Sequence, residues 1–281
     1  MSWTAVAKKD FRDAVQSRAL WALLAVFVVL SVVLSYSYAE FPALVGGTSE
    51  ATVGGLVFFT SGIVSLFVSL TAIVVCYKAI AGERELGSIK LMLALPHSRR
   101  DVFVGKLVGR TGVLSLALAV GLVVGLGVGS VLLGSFEPVP LALFLFVTLL
   151  FAVVYVTIVV SISATTGSTS RATTGALGFF LLFELLWDVV PLGVVYVANG
   201  LSLPAQMPDW IFPLMQLPPS SAYVLALNAL LPDLADAAPG GASVVGFDAF
   251  YARPELGFVV LAFWLVVPLA VGSYRFANAD L

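Results

Sequence analysis

The sequence predicts an all-α polytopic membrane protein, and three observations carry that expectation. Hydrophobic residues make up 60% of the 281 and charged residues 11%, with a mean hydropathy of +1.07; a water-soluble fold has no surface on which to expose so much apolar side chain. Apolar blocks of roughly 19 to 25 residues, each able to cross about 30 Å of hydrocarbon as a helix, occur near 19–39, 54–77, 111–134, 141–164, 174–198 and 256–274. Runs such as Leu141 to Val160 do not alternate apolar with polar positions, as the roughly ten-residue strands of a membrane barrel would. Six transmembrane helices within one domain, 1–281, follow.

The first eighteen residues read as an interfacial helix that feeds the first span. On a helical wheel Trp3, Val6, Ala7, Phe11, Ala14 and Val15 share one side, with Lys8, Lys9, Arg12 and Gln16 on the other. Ser37 and Ala39 have the spacing of a signal-peptidase site, but the preceding segment is long and contains Asp10 and Asp13, which argues against cleavage. Orientation comes from Lys and Arg, which stay on the cytoplasmic side. Of the fourteen, only Arg253 falls opposite the termini, so the chain is expected in the cell membrane with both ends cytoplasmic.

Between the second and third spans lies a polar loop, 79–106, whose stretch from Gly82 to Lys106 holds five of the fourteen basic residues. Leu86, Ile89 and Leu93 recur at helical spacing, which predicts a short amphipathic helix lying at the inner surface; Pro96 ends it. Ser98 stands three residues before Asp101, a capping-box start for a helix running through Val102 and Lys106 into the third span. In that span Gly121, Gly125 and Gly129 repeat every four residues, a small face that lets another helix come close, within the chain before any dimer seam. The polar loop from Gly167 to Thr174, with Arg171, carries no assigned chemistry.

Glu184 and Asp188 lie four residues apart, on one face of a regular fifth span, with no basic residue in any span to neutralise them. Burying an ionised side chain at that depth costs about 2.5–3.5 kcal/mol, so each must be wet, protonated or paired. They line an intramembrane polar pathway near a subunit interface, or they hydrogen-bond to Ser, Thr or Tyr hydroxyls of neighbouring helices. The outer segment, 199–255, contains apolar patches from Trp210 to Leu217 and from Ala222 to Leu231. Pro208, Pro213, Pro218, Pro219 and Pro232 cut these into pieces too short to cross, which suggests short outer re-entrant helices. From Asp233 to Arg253 the chain is acidic, contains Gly and reads as loop, either a passive solvated connection or a contact for an extracytoplasmic protein.

Several chemistries are disfavoured. Cys76 is the single cysteine, so no internal disulfide forms, and it reads as a small buried hydrophobe. His97 and Met92, Met207 and Met215 are scattered, so no metal site is expected. There is no basic patch for nucleic acid. A phosphate-binding loop of the Walker A type fails around Gly105-Lys106, because Arg100 stands where its first glycine belongs and Leu107 where its hydroxyl belongs. The chain is expected to hydrolyse no ATP, and no catalytic residue is assigned.

Glu83-Arg-Glu-Leu-Gly-Ser88, Leu95-Pro-His-Ser-Arg99 and Gly105-Lys106 resemble the first cytoplasmic loop of ABC transporter permeases of the type-2 exporter class. Ser88 replaces the usual threonine and keeps its hydroxyl. The resemblance implies that this loop is a cytoplasmic coupling helix docking on a separate ATP-binding cassette subunit, where ATP and magnesium would bind. Glu83, Glu85, Gly87, Leu93, Pro96, Arg99 and Lys106 take the coupling role by position. It also implies a second copy of the permease, two ATP-binding subunits, and outer helices between the last two spans. Within the class the chain is most similar to the NosY-like group, through Phe183 to Asp188 and Leu217 to Tyr223, which implies work in the maturation of copper enzymes. Three other classes stay open: a secondary transporter using Glu184 and Asp188 as proton or cation carriers, for which an inverted repeat is expected and none is visible; an intramembrane aspartic protease, disfavoured because its carboxylates should converge; and a non-transporting scaffold that works on an outer partner.

Overall fold

The structure is a computed structural model and describes residues 3–44, 52–94, 98–204, 207–232 and 253–279. Among these residues every regular element is helical. In chain order they are α1 (Trp3–Val15), α2 (Arg18–Leu44), α3 (Val53–Cys76), α4 (Ala81–Glu85), α5 (Ser88–Ala94), α6 (Arg99–Leu133), α7 (Pro138–Ala164), α8 (Thr169–Phe180), α9 (Val189–Ala198), α10 (Ile211–Met215), α11 (Pro219–Leu230) and α12 (Leu256–Ala277). Five helices are long and apolar enough to cross a membrane, and six if α8 with its continuation and α9 count as one bent span. Helices suit such composition because each satisfies its own backbone in a medium without water.

Helix ends follow local chemistry. Ser98 and Asp101 form the expected capping box on α6: the Ser98 hydroxyl accepts from the Asp101 N–H at 3.1 Å, and Asp101 Oδ2 accepts from the Ser98 N–H at 3.1 Å. Gly134 closes the same helix in the left-handed conformation, at φ 66°. At 35 residues α6 is the longest element. Its length of roughly 52 Å exceeds a hydrocarbon core of about 30 Å, so its first turns stand outside the apolar layer.

The glycines of α6 form a track for two other helices. A β-carbon on Gly105 or Gly109 would strike Val6 or Asp10 of α1; one on Gly121 or Gly125 would strike the backbone of Phe27 or Ser31 in α2. Ser35 bonds across the same seam, its hydroxyl donating to the Gly125 carbonyl at 2.8 Å. The four-residue glycine repeat therefore serves packing inside the chain. On the other side, Gly272 of α12 lies against the backbone of Ser161 in α7, and Gly257 lies against Ala222 and Ala226 of α11.

Two expectations change. The amphipathic helix through Leu86, Ile89 and Leu93 is two helices, α4 and α5, because Gly87 turns left-handed at φ 70°. Its N–H and that of Leu86 close the end of α4 on the carbonyls of Arg84 and Gly82. Ile89 is buried and Leu86 is exposed, so they do not share a face. The fifth span is also broken. After α8 a π-helical stretch, Leu181–Leu186, leads to a 63° bend before α9. Pro191 lies three residues into α9, without an N–H, and its ring crowds the carbonyl of Trp187. The predicted outer loop at 233–252 and Pro96 lie outside the described residues, as does the side chain of Leu93.

Candidate functional site

At the end of the bundle where α1, α4 and the start of α6 meet, four charged side chains form one node, with Asp10 and Lys106 buried and Glu83 and Arg110 half-buried. Lys106 Nζ lies 2.9 Å from Asp10 Oδ1 and also pairs with Glu83 Oε1. Arg110, one turn further along α6, places Nη2 3.3 Å from Asp10 Oδ1 and Nε 3.0 Å from Asp10 Oδ2. The second approach lacks the angle of a hydrogen bond, so that contact is coulombic. Arg110 Nη1 donates to the Val75 carbonyl of α3 at 3.1 Å. Two cations face two carboxylates, and Asp10 is the member that touches both cations. The Asp10 side chain is 4% exposed and that of Lys106 10%. A cavity of about 360 Å³ opens beside the node, lined by Asp13 and Ser17 with Leu20 and Val113.

The short helix α4 is bolted to the rest of the bundle on its other side. The hydroxyl of Ser163, in the last turn of α7, accepts from the N–H groups of Ile80 and Ala81 at 3.1 and 3.0 Å, satisfying donors that a helix N-terminus leaves free. Arg84 Nη1 donates to the Ala164 carbonyl at 3.3 Å. Glu85 Oε2 accepts from the N–H of Thr169, the first residue of α8, at 2.9 Å, and hydrogen bonding from the Thr169 side chain, together with this N–H, holds the Glu85 carboxyl below the usual carboxylate range. The α4–α5 elbow and the loop before α8 thus form one unit.

The seven loop residues singled out in the sequence separate by geometry. Glu83 and Lys106 turn inward to the node, and Glu85 is exposed and holds α8. Gly87 makes the elbow. Arg99 points sideways: its Nη1 donates to the carbonyls of Phe276, Ala277 and Ala279 at 3.3, 3.0 and 2.6 Å, capping the last turn of α12. Among the described side chains of the elbow, Leu86, at 84% exposure, faces outward together with Glu85, Lys90 and Ala94.

A second polar site lies at the bend. Glu184 sits in the π-helical stretch and accepts from the Tyr155 hydroxyl of α7 at 2.6 Å. Ser69 of α3 approaches Tyr155, and Ser220, in the first turn of α11, approaches Glu184. Next to them Thr148 and Tyr223 share a hydrogen bond of 2.9 Å that ties α7 to α11. Asp188 does not share this environment. It stands exposed at the bend between Leu185, Leu186 and Val189, two residues past the end of the π-helical stretch, where the chain turns by 63° away from the line of α8. The indoles of Trp187 and Trp264 donate to the carbonyls of Leu214 and Leu217, both at 2.7 Å, and so fix the link between α10 and α11 over the bend.

Asp10 is the functional candidate that the sequence reading passed over. Its signal was present: residues 3, 6, 7, 10, 11 and 14 form one helical stripe, and Asp10 is the only charge in it.

The sequence model for ABC-2 family transporter proteins matches residues 4–281, nearly the whole chain. The chain belongs to the ABC-2 transporter family. Two curated relatives are named "Probable ABC transporter permease protein NosY". The one from Pseudomonas aeruginosa is 30% identical over 289 aligned positions, covering 99% of this chain and 98% of the relative. That from Stutzerimonas stutzeri is 30% identical over 226, covering 78% and 79%. This NosY-like ABC permease is thus a multi-pass membrane protein of the transporter's membrane component.

Proposed function

We propose that this permease crosses the membrane six times with both termini cytoplasmic. Its α4–α5 elbow docks a separate ATP-binding cassette subunit, which binds ATP and magnesium and performs the hydrolysis. The observation that carries this reading is Leu86. A leucine at 84% exposure, on a rigid elbow in the most basic loop of the chain, has no use against water and suits an apolar socket on a protein partner. Glu85 and Lys90 beside it supply a polar rim of both signs.

Six spans make half of a pathway, and a second copy of the chain completes it. The face of the broken span that carries Asp188 among Leu185, Leu186 and Val189 supports that placement, since an exposed carboxylate in an apolar stripe is better accommodated at a seam than against lipid. Glu184, held by Tyr155, serves the polar pathway behind it. The resemblance to the NosY-like group makes export, or work on an extracytoplasmic partner during copper-enzyme maturation, the process served.

The test is co-purification of the permease with a co-expressed ATP-binding cassette subunit from the same genome. The unsubstituted chain is expected to retain that subunit, and Leu86→Asp to lose it while keeping its own elution volume and thermal midpoint. Retention by Leu86→Asp equal to that of the unsubstituted chain would reject the elbow as the docking surface.

A further inference from the structure

We infer that Asp10 is a positioning residue for coupling: by bridging Lys106 and Arg110 it holds Lys106 against Glu83, so that a displacement of the elbow moves α1 and α6 as one lever. This rests on the docking role proposed above.

The geometry gives α4 two kinds of attachment. Toward α7 and α8 it is fixed through backbone groups, at Ser163, Ala164 and Thr169. Toward α6 the contact between side-chain charges is the Glu83–Lys106 pair. Lysine is a long flexible side chain, and a single ion pair at its end would transmit little, because the ammonium can swing with the carboxylate. Asp10 removes that freedom. It grips the same ammonium from α1 at 2.9 Å, while Arg110 grips Asp10. The body so gripped is stiff, since α1 lies directly on Gly105 and Gly109 and α2 on Gly121 and Gly125 of one unbroken helix. That helix reaches the opposite end of the bundle, where Gly134 closes it. Burial of a charge in α1 also has no packing rationale of its own: Val6, Ala7 and Phe11 already supply the apolar face. A carboxylate enclosed among two cations is instead suited to fix register between elements.

The experiment uses the full chain with its ATP-binding subunit in lipid nanodiscs. Spin labels are placed through Phe136→Cys, just beyond the far end of α6, and Leu203→Cys, both exposed positions, with buried Cys76 left in place. The distance between labels is compared with and without ATP. In the otherwise unsubstituted chain the distance is expected to shift with nucleotide. Asp10→Asn is expected to keep the ATP-binding subunit bound and lose the shift, and Asp10→Glu to restore it. A merely structural role predicts a different pattern. It would make Asp10→Asn unstable and let the charge-balanced double variant Asp10→Asn with Lys106→Met, which removes one charge of each sign, recover everything, whereas the relay requires that double variant to recover stability and stay without the shift. If Asp10→Asn fails to fold, the double variant carries the test. A shift of unsubstituted size in either variant overturns the relay alone; no shift in the unsubstituted complex overturns the docking reading and the relay together.

Discussion

Lys106 has two carboxylates in reach and is almost enclosed, which sets the consequence of removing it. Breaking a buried pair by deleting one partner leaves the others uncompensated and costs about 3–5 kcal/mol. Lys106→Met keeps an unbranched side chain one atom shorter and removes its charge, so Asp10 and Glu83 lose the cation they share. The expected outcome is a fall of that size in unfolding free energy, read from the midpoint of a detergent-unfolding titration; a change below about 1 kcal/mol would show that the node is hydrated and of surface type. Side chains of this kind were only half legible in the sequence. Lys106 was found through the motif around it, but its direction was not, because Asp10 lies 96 residues away. The direction of Arg99 was hidden for the same reason: the carbonyls it caps come some 177 to 180 residues later. No local pattern encodes such a partner.

Among elements, α2 and α6 are held by backbone approach and therefore tolerate little between them. A β-carbon on Gly125 would lie 2.7 Å from the Ser31 carbonyl carbon, which cannot rotate away. Gly125→Val should force the helices apart, with a loss of about 1–3 kcal/mol. Gly127 is the control on the same helix, since nothing stands within 4 Å of its β-position. There, valine removes a glycine penalty of under about 1 kcal/mol and should be neutral or slightly stabilising. Equal losses in the two variants would contradict the packing assigned to the track. The glycine period of four was visible in the sequence and led to the packing reading. The bend before α9 was not, because a π-turn adds one residue without leaving a mark on a run such as Leu181 to Leu186, which is apolar apart from Glu184. Pro191 was the local sign of it. Gly87 likewise was recognised as part of a motif but not as the left-handed corner that divides α4 from α5.

For the molecule as a whole, contacts place the start of α6, the end of α12, α1 and the elbow at one end, through Arg99 on the α12 carbonyls and through the charge node. That end also carries nearly all of the Lys and Arg, with Arg253 the exception. A bilayer sorts such a distribution strongly, because each basic residue near a span resists crossing. The elbow should therefore face the cytoplasm. Lys90→Cys puts a thiol on its exposed side, and Leu203→Cys puts one at the other end, while Cys76 stays buried and unreactive toward a bulky reagent. A membrane-impermeant maleimide should label Leu203→Cys and spare Lys90→Cys in right-side-out vesicles, and the pattern should invert in inverted vesicles. Labelling of Lys90→Cys from outside would remove the elbow from any ATP-binding partner, because ATP and that partner are cytoplasmic. The docking surface and the lever built on Asp10 would then both fall, while the helical packing along α6 would stand unchanged.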